Sequence, residues 1–61
     1  MEYIVLSIYK DCTSKIETIN KIESALYASV IYLEDPNCYG VKIWEKETCK
    51  IILDYLNWRK D

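Results

Sequence analysis

A chain of 61 residues holds one domain, at a size where a lone hydrophobic core is only marginally sufficient. With 51% apolar residues, 30% charged residues, one Gly and one Pro, the composition excludes disorder and low complexity. The net charge of -2 is spread along the chain and Arg59 is its single arginine, which argues against phosphate recognition as the main task.

The first segment, Glu2 to Tyr9, reads as a strand that is apolar on both faces. Ile4, Leu6 and Ile8 point one way and Tyr3, Val5 and Tyr9 the other. A single layer of helices covers only one side of a sheet, so the second apolar row needs another partner. The aliphatic row is assigned to the internal core and Tyr3, Val5 and Tyr9 to an open, aromatic face.

Asp11 to Ser14 interrupts the apolar run, and Ser14 with Glu17 has capping-box spacing. Ile16, Ile19, Ile22 and Leu26 then recur every three or four residues, which predicts a helix from about Ser14 to Ala28. Val30 to Glu34 is β-branched and aromatic and predicts a second strand, closed by the turn residues Asp35, Pro36 and Asn37. Gly40 is placed where the backbone leaves that turn with positive φ. Val41 to Trp44 alternates and predicts a third strand, with Val41 and Ile43 toward the helices and Lys42 and Trp44 outward.

The last third fits either a hairpin into a fourth strand, Ile51 to Leu56, or a helix. Lys50, Asp54, Asn57 and Asp61 recur at helical spacing, and Thr48 can cap, so a C-terminal helix is expected. Tyr55 and Trp58 fall on one of its apolar stripes. The resulting fold class is α+β: a βαββα mini-domain, a three-stranded antiparallel-type sheet with two helices on one face, like a ferredoxin-like arrangement lacking its final strand. The chain is read as a single domain over residues 1–61.

Catalytic motifs do not emerge. With no histidine, Cys12 lacks the usual base. The three cysteines, Cys12, Cys38 and Cys49, have no Cys-x-x-Cys spacing for zinc and read as small hydrophobes in a reducing, cytoplasmic setting. Asp35 to Gly40 begins like a calcium loop, but Lys46 occupies the place where a bidentate Glu is required. A single Gly rules out a Gly-rich phosphate loop. No apolar run is long enough to span a membrane.

The expectation is therefore a non-enzymatic protein-protein interaction module without a cofactor. It pairs with itself as a homodimer and then with another protein, as a virus- or mobile-element-encoded accessory or inhibitor protein would. The expected interface residues are Tyr3, Val5, Tyr9, Trp44, Tyr55 and Trp58. The competing reading is a single-stranded nucleic-acid binder that stacks bases on Tyr3, Tyr9 and Trp44.

Overall fold

The computed structural model describes residues 1–56 and contains five elements. These are β1 (Tyr3–Tyr9), β2 (Ser14–Ile19), α1 (Ile22–Leu33), β3 (Cys38–Glu45) and β4 (Ile51–Leu56). All neighbours are antiparallel, in the order β2-β1-β3-β4. The α+β class expected from the sequence is present, built over the described residues from four strands and one helix in place of three strands and two helices.

β1 and β2 form a hairpin across the three residues Lys10, Asp11 and Cys12. The Cys12 amide donates to the Tyr9 carbonyl at 3.0 Å and the Tyr9 amide to the Thr13 carbonyl at 2.9 Å. Cys12 closes the turn in the left-handed region, with φ of 71°. This is the three-residue hairpin loop in which a turn is followed by one left-handed residue. The Asp11 carboxylate accepts from both the amide and the hydroxyl of Thr13, at 3.1 and 2.6 Å. Those bonds hold the Asp11 carboxyl below the usual carboxylate range.

The expected helix from Ser14 to Ala28 is thus corrected. Ser14–Ile19 is a strand, and the helix starts later, at Ile22. Local preference and pairing both favour extended backbone there: Ile16, Thr18 and Ile19 are β-branched, and the tight turn brings the segment directly beside β1. The expected strand from Val30 to Glu34 is corrected too, because Val30 to Leu33 complete α1 and Glu34 is its C-cap. Ala25, Leu26 and Ala28 are strong helix formers, and they carry the helix through Val30 and Ile31 once it has begun. It ends before Pro36, which restricts Asp35. Asp35 then organises the turn, its carbonyl accepting from Cys38 N–H and its carboxylate from Asn37 N–H, both at 2.9 Å.

Gly40 does not have positive φ; it is a buried strand residue opposite Ile8. The left-handed residues are instead Cys12 and, in the β3–β4 turn, Cys49 with φ of 61°. Thr48 serves that same turn and no helix, since its hydroxyl accepts from the Lys50 amide at 3.2 Å. Over residues 51–56 the expected C-terminal helix is replaced by β4. Asp54 supplies the polar position on one face of that strand, and pairing with β3 satisfies the backbone groups on its inner side.

The core lies between α1 and one face of the sheet. Val5, Ala25, Cys38, Val41 and Ile43 are buried, with Tyr3, Tyr9, Ile19, Tyr32, Leu33, Ile52 and Leu53 packed around them. Val5 pairs with Ile43 and Ser7 with Val41, so odd-numbered β1 residues face the helix together with Val41 and Ile43; a bulge at Ile8 and Tyr9 then brings Cys38, paired with Tyr9, to the same side. The helix approaches with its smallest side chains, Ala25 and Ser29, both buried. Ser7 and Ser29 are buried polar residues, each donating to a carbonyl, Lys15 O at 3.5 Å and Leu26 O at 2.6 Å. Full burial of Val5, Val41 and Ile43 contributes roughly 1.5–3 kcal/mol per side chain. Few such groups are present, so the domain belongs near the low end of the stability range.

Candidate interaction surfaces

The even-numbered residues of β1 face away from the helix. Cross-strand pairing assembles the rest of that open face: Ile16 stands opposite Leu6, Thr18 and Trp44 opposite Ile4, Lys42 opposite Leu6, and Ile51 opposite Trp44. Its centre, Ile4, Leu6, Ile8 and Trp44, is half-buried by neighbouring strands, while Ile16 and Ile51 at its two sides are 65% and 52% exposed. Lys42 and Asp54 are paired across β3 and β4 and give the face one charge of each sign. Lys42, Trp44, Cys49 and Ile51 surround a shallow hollow of about 210 Å³.

For β1 the sequence reading assigned the two faces the other way round. The aliphatic row Ile4, Leu6 and Ile8 is outward, and Val5 is a core residue 1% exposed under α1, with Tyr3 and Tyr9 half-buried beside it. A row apolar on both sides carries no internal clue to its inner face. The register supplies it, because Val5 must stand on the same side as Ile43. Lys42 and Trp44 do face outward, as read from the alternation. Tyr55 lies opposite Val41, on the helix side near the sheet edge, and is 47% exposed. Trp58 lies outside the described residues.

A second apolar surface was not foreseen. Leu26, Tyr27, Val30 and Ile31 occupy the outer side of α1 with exposures of 40 to 69%. Their spacing is that of one helix face, and a correct helix assignment would have revealed it. α1 carries a single charged residue, Glu23, in its first turn.

The edge strand β2 is fastened to the helix by a small polar cluster. The Tyr32 hydroxyl donates to the Glu17 carboxylate. Lys15 Nζ lies 3.8 Å from the other Glu17 oxygen and 5.2 Å from the centre of the Tyr32 ring. The bond to Glu17, with partial burial, pushes the Tyr32 hydroxyl's pKa up, and contact with Tyr32 pushes that of the Lys15 ammonium up as well.

Chemistry finds few footholds. A hollow of about 620 Å³ opens between the β1–β2 turn and the α1–β3 turn, but its carboxylates, Asp11 and Asp35, are engaged by their own turns. Cys38 is buried, and that burial raises its thiol pKa. Cys12 is exposed in the hairpin turn and has no helix behind it. Among the described residues, no three Cys, Asp or Glu converge as metal ligands, and no helix is long and apolar enough to cross a membrane. Comparison with known protein families, with curated proteins and with solved structures found no match.

Proposed function

We propose that the protein is a non-enzymatic protein-protein interaction module that self-associates as a homodimer and presents its open sheet face to another protein. The observation that carries this reading is the distribution of large apolar side chains. Ile16 and Ile51 flank the open face and Tyr27, Val30 and Ile31 crown the helix, all well exposed, while small Ala25 and Ser29 pack inside. Apolar surface on both sides of a domain this small is characteristic of interaction sites. The paired Lys42 and Asp54 let the open face discriminate among partners through charge as well as shape. The small size and lack of catalytic motifs suit an accessory or inhibitor protein of a virus or mobile element.

The nucleic-acid reading loses support from the placement of the aromatics. Of Tyr3, Tyr9 and Trp44, only Trp44 stands on the open face, where Lys42 is beside it and Asp54 offsets the charge. A labelled single-stranded oligonucleotide is expected to stay unshifted by this protein even at low salt. A shift that Trp44→Ala abolishes would instead favour base stacking. For the homodimer, light scattering on a sizing column is expected to give twice the chain mass of 7.3 kDa. A single species of chain mass at high loading would oppose it.

A further inference from the structure

β2 is an edge strand, and its free side has a definite hydrogen-bonding parity. The Thr13 carbonyl accepts from Tyr9 on β1, and the Lys15 carbonyl accepts from the Ser7 hydroxyl. Odd-numbered residues of this strand therefore turn their backbone groups inward, toward β1. On the opposite side of β1 the Lys46 amide donates to the Glu2 carbonyl, consistent with even-numbered β1 residues bonding toward β3. By the alternation of an antiparallel ladder, Ser14, Ile16 and Thr18 present their N–H and C=O groups outward from the sheet.

We propose that β2 pairs antiparallel with β2 of a second copy about a two-fold axis at Ile16, joining two sheets into one of eight strands. This rests on the homodimer reading above and gives it a contact and a register. Three central registers satisfy the outward parity, and side-chain charge selects among them. A register centred on Lys15 would set Lys15 against itself, and one centred on Glu17 would set Glu17 against itself. Only the register centred on Ile16 places Lys15 opposite the partner's Glu17 and Glu17 opposite the partner's Lys15. These fall at non-hydrogen-bonded positions, where cross-strand side chains are closest. Ile16 meets its own copy on the open face, exchanging two backbone hydrogen bonds, and Ser14 faces the partner's Thr18. The two open faces then merge into one apolar surface with Ile16 at its middle.

A lysine on an edge strand can also act as a guard against pairing. The two roles diverge in a charge-exchange experiment. Lys15→Glu alone gives four acids across the junction, and Glu17→Lys alone gives four bases, so each is expected to weaken self-association by about tenfold or more. An equimolar mixture of the two variants sets Glu against Lys at every position and is expected to restore dimer, measured by sedimentation velocity. Formation of that mixed dimer also shows that both variants are folded. Amide hydrogen exchange on the unaltered chain supplies a readout without substitution: Ile16 and Thr18 amides are expected to become protected as concentration rises. If the unaltered chain is a dimer but its Ile16 amide exchanges freely, or if each variant alone dimerises undiminished, the edge register is overturned while the homodimer stands. If the unaltered chain is monomeric, both are overturned, and Lys15 is a guard.

Discussion

The Tyr32 hydroxyl, on the last turn of the helix, donates to the carboxylate of Glu17 on the edge strand. With Lys15 over the Tyr32 ring, that bond ties α1 to the edge strand β2 on the side of the sheet where the register places Glu17 and Lys15. Removing it with Tyr32→Phe is expected to cost about 1–2 kcal/mol, the range of a hydrogen bond to a charged group that is partly exposed. A urea titration measures the loss. An unchanged midpoint would show that the bond contributes nothing.

The same cluster predicts a pH dependence. Both the Tyr32 hydroxyl and the Lys15 ammonium have folded-state pKa values raised above their unfolded ones. Each therefore binds its proton more tightly when folded, and its contribution is fully present below about pH 10 and lost as pH rises further. Urea midpoints measured from neutral to strongly alkaline pH are expected to fall at the upper end, and to fall less steeply in Tyr32→Phe. An equal fall in both proteins would remove Tyr32 from the explanation.

Cys12 and Cys49 each occupy left-handed backbone at a hairpin turn, a conformation that costs an L-residue roughly 1–2 kcal/mol relative to the right-handed region. Gly adopts it without that cost but loses more entropy on folding. Cys12→Gly and Cys49→Gly are each expected to raise stability by about 0.5 kcal/mol. Thermal or urea unfolding of the single variants tests this. Destabilisation by either would mean that the thiol makes a contact more valuable than the relieved strain.

Val5→Asp is expected to unfold the domain or cost more than about 3 kcal/mol, because it places a carboxylate in the core without a partner. Lys21→Ala, at an exposed helix cap whose side chain makes no capping bond, is expected to change stability by less than about 0.5 kcal/mol. Circular dichroism of the two variants distinguishes this from the sequence-based placement of Val5 on an open face, in which Val5→Asp would leave the monomer folded.

Two strands were legible in the sequence. β1 was readable as a short run apolar on both faces and the centre of β3 from alternation, with Val41 and Ile43 inward and Lys42 and Trp44 outward, while the residue types of Asp35 and Pro36 marked their turn. The middle of the chain was not, because two elements share one false rhythm. Ile16 and Ile19 belong to β2 and Ile22 and Leu26 to α1, yet together they space like a single helix, and Ser14 with Glu17 imitates its cap. Shifting the helix forward explains the next error, since β-branched Val30 and Ile31 resemble a strand only if α1 has already ended. The open face itself was legible as a surplus of apolar rows. Its composition was not, since choosing the inner side of β1 requires the pairing of Val5 with Ile43, a relation between residues far apart in sequence. The polar cluster of Lys15, Glu17 and Tyr32 depends on that same tertiary arrangement.

Self-association of the unaltered chain is the claim on which the proposed function and the edge register both depend. Edge pairing of six-residue strands makes a small interface, so the expected dissociation constant is micromolar and the concentration series must extend well above it. Sedimentation equilibrium is the most direct measurement: a homodimer gives a mass that climbs from 7.3 kDa toward twice that value and stops there. A mass that stays at 7.3 kDa into the millimolar range would contradict it.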